Sequence, residues 1–555
     1  MTTPDASAAQ RIQEQLREGR TALGIELGST RIKACLIDAD DPTVVLAIGA
    51  HAWENEYVDG LWTYSMDAVW SGLQAAYADL IDDAERRHGV RPATFAAVGV
   101  SAMMHGYLAF DATGELLVPF RTWRNTNTGA AAAELSELFG VNIPLRWSIA
   151  HLRQAEIDAE PHVAHVASIT TLAGYVHRAL TGRHVLGVGD ASGMFPIDSA
   201  TRDYDQAMVE AYDALVRGEG ATLRQAQGPE GDAQGPEGGS VRDLLPEVLV
   251  AGQDAGALTP EGAALLDPSG ALRPGIPFCP PEGDAGTGMV ATGAVAPRTG
   301  NVSAGTSIFA MVVLERPLEQ VHHELDLVTT PVGDAVAMVH CNNGASELAA
   351  WVGLFGRFAA ASGAPLDDDA VFDVLFTEAL AGEADAGGLL AYNHLAGEPI
   401  AGLDAGRPLF VRTPDSRLNL ANVMRAQLYG VFGTLALGMR ALEDEGVALD
   451  RMYAHGGMFR TAGVAQRFLA GALHAPVAVG ETASEGGAWG IAVLAAFTQA
   501  AGQSPDLADY LDQVVFAGAP VSVADPDPAD AAGFAAYLDR YRAGLAVEAA
   551  AVAHL

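Results

Sequence analysis

One short pattern occurs twice in this chain, once in each half, and it limits what the chain can fold into. The first copy reads Leu23-Gly24-Ile25-Glu26-Leu27-Gly28-Ser29-Thr30-Arg31-Ile32-Lys33-Ala34-Cys35-Leu36-Ile37. The second reads Gly300-Asn301-Val302-Ser303-Ala304-Gly305-Thr306-Ser307-Ile308-Phe309-Ala310-Met311-Val312-Val313. Each is an apolar, strand-like run folded over a glycine and two hydroxyl residues. Such a turn lets backbone N–H groups approach an anion, because glycine has no Cβ in the way. Taken singly, either copy is equally an ordinary Gly-containing β-hairpin. The acidic Gly283-Asp284-Ala285-Gly286-Thr287-Gly288 stands just ahead of the second copy. With it, the pair predicts two related lobes gripping one polyphosphate.

A chain of 555 residues is long for one core, so two large domains with a cleft are expected. The formal net charge of -37 argues against nucleic acid and against an anionic membrane surface as partners. Lys33 is the only lysine, which reads as a bias of coding composition. Cys35, Cys279 and Cys341 are too few and too scattered for a disulfide framework or a zinc site, and read as buried thiols. Met1 to Arg20 lacks the basic and apolar regions of a secretory signal. The most apolar stretch, Gly486 to Phe497, is short and rich in Gly and Ala, as in a packed helix. A cytoplasmic, soluble protein is expected.

Along the chain, Arg11 to Glu18 reads as a short helix, and Leu23–Ile25, Lys33–Ile37 and Val44–Ile48 as an antiparallel meander. Met66 to Arg86 has helical spacing, Ala96–Ser101 and Tyr107–Asp111 read as strands, and Leu135 to Leu180 as mostly helical. Residues 218–240 include the tandem repeat Ala226-Gln227-Gly228-Pro229-Glu230-Gly231-Asp232 and Ala233-Gln234-Gly235-Pro236-Glu237-Gly238-Gly239. This segment reads as a disordered surface insertion. The second half repeats hairpin, then helices (Ala345 to Ala361, Asn419 to Glu443), then the strand Met452–His455 and a helix from Thr461 to Ala472. The fold expected is α/β: two lobes, each a mixed five-stranded sheet flanked by helices, with the active site in the cleft between them.

These residues resemble the FGGY carbohydrate kinases, whose fold is the actin-like ATPase fold of two ribonuclease-H-like lobes. The resemblance covers about residues 22 to 500. The first hairpin is similar to the family's Asp-x-Gly-Thr-[Ser/Thr]-x-x-[Arg/Lys] signature. Val98-Gly99-Val100-Ser101-Ala102-Met103-Met104-His105-Gly106 is similar to its Ser-x-Gln-Met-His-Gly segment. Leu180-Thr181-Gly182, Asp190-Ala191-Ser192-Gly193, the approach to Gly283-Asp284, Gly305-Thr306-Ser307 and Gly456-Gly457-Met458 follow in the family's order. The resemblance implies an N-terminal extension (1–20), a sugar-binding lobe (21–297), a nucleotide-binding lobe (298–500) and a C-terminal helical tail (501–555). It implies an ATP-dependent kinase, using Mg2+, for a terminal hydroxyl of a ketose such as xylulose. Other hexuloses, polyols and sugar acids are the alternatives, as is a non-catalytic nucleotide-binding protein. A homodimer follows by analogy only.

Transfer to a hydroxyl needs a phosphate clamp, a divalent ion and a base. Asp284 is the candidate base and a substrate contact; as a bare pattern it is equally the N-cap of a helix over 285–296. Gly28, Ser29, Thr30, Lys33, Gly305, Thr306, Ser307, Gly456, Gly457 and Met458 are the nucleotide-binding candidates. Arg31 shares the face of Lys33 and is as readily a solvated charge. Glu26 stands where the family has Asp near a magnesium-bound water, so its carboxylate reaches roughly 1.5 Å further. Met104 and His105 match the pair that contacts the sugar. The family's Trp-Asn-Asp-x-Arg is replaced by Trp123-Arg124-Asn125-Thr126-Asn127, which leaves Asn125 to bond a sugar hydroxyl. Tyr64 stands in place of a Glu after Trp62. Asn342, Asn343 and Gly344 are expected to line the cleft. Asp367-Asp368-Asp369 reads as helix-start charge, and the glycines of Glu485-Gly486-Gly487-Ala488-Trp489-Gly490 as close helix packing.

Overall fold

The computed structural model describes residues 6–227, 239–480, 486–500 and 506–555. The chain forms two compact units. The first holds Met1–Val295, Leu327–Ala335 and Ala483–Ala517; the second holds Ala296–Asp326, Val336–Thr482 and Gly518–Leu555.

The first unit is built on a five-stranded sheet. Its strands are β1 (Thr21–Leu27), β2 (Arg31–Asp38), β3 (Val45–Ala52), β4 (Ala97–Ala102) and β5 (Glu282–Gly283), in the order β5-β4-β1-β2-β3. β1, β2 and β3 pair antiparallel, and β1, β4 and β5 pair parallel. The alternation of apolar residues sets the register, which places Glu26 opposite Lys33. The helix α1 (Met66–His88) starts where the Ser65 side chain accepts the Ala68 N–H and stops at Gly89, left-handed at φ 70°. It covers β3, and its Leu73, Ala76, Tyr77 and Leu80 join the core.

The helix α4 (Gly487–Ala500) belongs to the first unit, although the sequence reading placed it in the second lobe. It lies against β1, where a Cβ on Gly24 would stand 2.1 Å from the Ala488 carbonyl oxygen. Only glycine permits that approach.

The second unit repeats the same topology. Its sheet holds β6 (Thr299–Ala304), β7 (Ile308–Val313), β8 (Leu325–Thr329, of which Leu327–Thr329 are counted with the first unit), β9 (Ala335–Cys341), β10 (Arg451–His455), β11 (Val477–Gly480) and β12 (Val521–Ala524), in the order β8-β9-β7-β6-β10-β11-β12. The inner five strands have the antiparallel and parallel pairings of the first sheet. The sheet is therefore seven-stranded where five were expected, because β8 and β12 add an edge on each side. β12 comes from the tail read as helical, whose remaining bulk is the helix α5 (Pro528–His554).

In the first unit Leu135 to Leu180 is mostly helical as expected, with helices at Gly129–Phe139, Ser148–Ile157 and Leu172–Thr181 and a strand at Ser168–Thr170. The helix Gln206–Gln227 runs through the start of the segment read as an insertion. The rest of the tandem repeat, 228–238, lies outside the described residues. Among the described residues no helix is long and apolar enough to cross a membrane.

Candidate active site

In the first unit the β1–β2 turn is fixed from outside. The Trp53 indole donates to the Gly28 carbonyl at 2.7 Å and the Tyr64 hydroxyl to the Ser29 carbonyl at 2.7 Å, while the two rings stack at 4.2 Å. Ser29, Thr30 and Arg31 remain exposed on this braced turn. Tyr64 thus supports the hairpin, a role that its place after Trp62 in the sequence did not announce.

Glu26 points from β1 toward the N-terminus of α4, where the Ala488 N–H bonds its carboxyl. The carboxyl is 12% exposed, and Lys33 Nζ stands 3.7 Å from its Oε2. Burial is the main force on it, pushing its pKa up to about 7; Lys33 opposes this and the charge of Asp284 reinforces it. Its Oε2 is buried without a hydrogen-bond partner. A hard oxygen donor left open beside a second carboxylate suits a divalent cation.

Asp284 is the first residue of the helix α3 (Asp284–Thr292), and Gly283 is the N-cap. The capping alternative therefore falls to the residue before it. Its carboxylate is open to solvent and accepts the Met104 N–H at 3.0 Å. The surrounding protein still desolvates it and raises its pKa, against the pull of that N–H and of Arg146.

Met104 and His105 follow β4, with His105 in the left-handed region at φ 72° and Gly106 at 93°. A non-glycine residue there stores strain and marks a tightly specified turn. Both side chains are buried; the His105 ring lies 3.3 Å from the Gly193 carbonyl and stacks at 6.5 Å on Trp147. Asn125 is 3% exposed. Its side chain accepts the Trp62 N–H at 2.8 Å and donates to the Trp62 and Thr122 carbonyls at 2.9 and 3.1 Å. These bonds brace the turn around Trp62 and Thr122. Its neighbour Arg124 lies over the Trp62 ring, 4.1 Å from the centroid.

Behind Asp284 lie two buried carboxyls: Glu282, which sequence reasoning passed over, and Asp190, which it named only within a motif. Glu282 is 1% exposed, and burial, with Asp190 nearby, pushes its pKa up to about 8. Asp190 is also 1% exposed and is pushed up to about 7 by burial, which the Thr171 hydroxyl at 2.6 Å offsets in part. Nothing local in the sequence pairs Glu282 with Gly187 and Gly189, which only the fold brings beside it.

In the second unit, the Gly305–Ser307 turn, the N-terminus of the helix Ser346–Ala361 and the loop after β10 come together. The Gly344 and Ala345 N–H groups donate to the Thr306 and Gly305 carbonyls at 2.8 Å each. Gly456, at φ 114°, approaches so closely that a Cβ would stand 2.2 Å from the Ala304 carbonyl oxygen. Gly305, Thr306, Gly456 and Gly457 are exposed, whereas Met458 is buried. Asn343 is committed elsewhere: it accepts the Leu395 and Ala396 N–H groups and donates to Glu398. Asn342 donates to the Gly397 carbonyl. Asp367 caps the helix Asp368–Ala379, the ordinary helix-start role expected of that acidic run.

Twin sheets of one topology, each presenting a Gly-hydroxyl hairpin, define an α/β protein of the actin-like ATPase kind. Solved structures agree. A xylulose kinase from Rhodospirillum rubrum is 22% identical, with a TM-score of 0.72 over 95% of this chain and 99% of that one. A gluconate kinase from Lactobacillus acidophilus is 16% identical, with a TM-score of 0.72 over 95% and 99%. Among curated proteins, a xylulose kinase of Escherichia coli is 23% identical over 316 residues, a match spanning 54% of this chain and 56% of that relative. Residues 21–217 match the N-terminal domain, and residues 300–499 the C-terminal domain, of the FGGY family of carbohydrate kinases. The protein belongs to that family.

Proposed function

We propose that the protein transfers the γ-phosphoryl group of ATP to a terminal hydroxyl of a ketose, a ketopentose such as xylulose first among them. The observation that carries this is Asp284: a solvent-open carboxylate, held by the Met104 N–H beside the strained His105 turn and raised in pKa. A carboxylate so held can accept the proton of the attacking hydroxyl, and a raised pKa makes it the stronger base. His105 and Met104 would shape the sugar end through the small surface they keep. Gly28, Ser29, Thr30 and Lys33, with Gly305, Thr306, Ser307, Gly456, Gly457 and Met458, would hold the nucleotide through backbone N–H groups, hydroxyls and one cation. Glu26 would hold magnesium, which when bound neutralises charge on the phosphates.

Arg124 favours a second reading within the same reaction. Its guanidinium is spread on Trp62, on the segment that Asn125 ties down, and a cation there suits a sugar acid over a neutral ketose. ADP release with magnesium-ATP across ketopentoses, ketohexoses, polyols and sugar acids decides between them, each run beside Asp284→Asn. Stimulation by one sugar, lost at least 100-fold in the variant, is the expected result. An unchanged rate in Asp284→Asn removes it as the base.

A further inference from the structure

Glu282 is a carboxyl with a cavity shaped to receive it. Its Oε1 accepts the Gly189 N–H at 3.3 Å and its Oε2 the Asp190 N–H at 3.0 Å. Glycines leave the room it fills. A Cβ on Gly187 would stand 2.1 Å from Oε1, one on Gly189 2.4 Å from Oε2, and one on Gly286 3.2 Å from Oε2. A purely structural plug would be served by an apolar side chain, without the cost of burying an acid.

The segment that Glu282 grips, Val188 to Gly193, is tied from every side. Its short helix α2 (Val188–Ala191) carries Asp190, which accepts from Thr171 at 2.6 Å. Ser192 donates to the Gly189 carbonyl at 2.6 Å. Thr329 donates its N–H to Ser192 at 3.1 Å and its hydroxyl to the Val188 carbonyl at 3.0 Å. The far end of the segment meets His105 and Met104, since a Cβ on Gly193 would stand 2.6 Å from His105 Nδ1 and 2.8 Å from Met104 Cε. Glu282 itself precedes Asp284 by two residues in β5, paired parallel to β4, which leads to Met104 and His105. One buried carboxyl therefore joins the strand end that presents Asp284 to the turn that backs His105.

We propose that Glu282 is a positioning residue, fixing Asp284 and the Met104–His105 turn relative to each other through its grip on Gly189 and Asp190. This rests on the kinase reading above. It never touches substrate and takes no part in the proton transfer; it sets the distance over which that transfer occurs, where small displacements cost rate steeply.

The test uses the full-length protein with Glu282→Gln, which keeps the length and one acceptor, and Glu282→Ala, which keeps neither. The measurements are kcat and KM for the sugar and for ATP at 15 °C, with amide exchange of peptides covering 185–195 and 101–107. The expected result is a kcat lower by about 10-fold in Glu282→Gln and 100-fold in Glu282→Ala, with the KM for ATP within twofold. Exchange of the Gly189 and Asp190 amides should rise in the same order. If Glu282→Ala does not fold, Glu282→Gln alone decides. Unchanged kcat in the folded variants, or unchanged exchange at 185–195, overturns the proposal. Absence of turnover by the unaltered protein on every sugar tried overturns the kinase reading instead. In that case the exchange measurement still reports whether Glu282 holds the turn.

Discussion

Asp190→Asn should make the first unit gain stability, relative to the unaltered protein, as the pH rises. Asp190 is fully enclosed, and its carboxyl ionises near 7 in the folded chain, against about 3.9 in the unfolded one. A folded pKa raised above the unfolded value means that ionisation works against folding. The penalty is absent below about pH 4, grows by about 1.4 kcal/mol per pH unit, and levels off above pH 7 at about 4 kcal/mol. Roughly half of it, about 2 kcal/mol, falls between pH 5.5 and 8. Asparagine keeps an acceptor for the Thr171 hydroxyl and never ionises. Its extra N–H donors cost about 1 kcal/mol at every pH. Neutralising residue 190 also eases the pressure on Glu282, an effect of the same sign. The variant should therefore be the more stable by about 1 kcal/mol near pH 5.5 and by about 3 kcal/mol at pH 8, melting higher at both. At about 2 °C per kcal/mol for a unit of this size, the difference in midpoint should swing by about 4 °C. Differential scanning fluorimetry at constant ionic strength reads this, with amide exchange assigning the transition to the first unit. A difference that stays flat or shrinks as pH rises refutes the reasoning.

Other changes test the packing. In the second unit Asp530 is 3% exposed and accepts from Arg425 and Arg467. Asp530→Ala strands the Arg425 charge in the interior and should cost about 3–5 kcal/mol, read as a lower melting midpoint of the second unit alone. Gly24→Ala would drive a methyl onto the Ala488 carbonyl and the Ala492 nitrogen, 2.1 and 2.6 Å away. Urea unfolding should show a loss of about 3 kcal/mol in the first unit. Asn125→Ala should cost about 1–3 kcal/mol by freeing the Trp62 backbone groups; a residue that only bound sugar would leave the melting midpoint unmoved.

The features written in local pattern were readable without coordinates. The register that sets Glu26 opposite Lys33 follows from two alternating strands and a Gly turn only a few residues long. The repeated hairpin likewise implied a repeated sheet, and the five strands of the first sheet share one topology with the inner five of the second. What escaped depends on distant partners. Val521–Ala524 is a short strand with an exposed face, and only β11, some forty residues earlier, makes it one. Gly487–Ala500 reads as a helix anywhere, and nothing local assigns it to β1 in place of the nearer sheet. Asn125 illustrates the converse: its type suggested a ligand contact, and the structure adds a bracing role that no local pattern announces. Glu282 was hidden because a buried acid is legible only once its three glycine neighbours are in space.

Lys33 has a practical consequence. It is the only lysine of the chain, sits on the braced hairpin beside Glu26, and is 30% exposed. Amine-reactive reagents therefore meet one side chain besides the terminal amine, and a dye, crosslinker or biosensor surface coupled that way would attach the protein by its first hairpin. Any enzyme that acylates lysine has a single address here, and so does any tagging system that builds isopeptide bonds on side-chain amines.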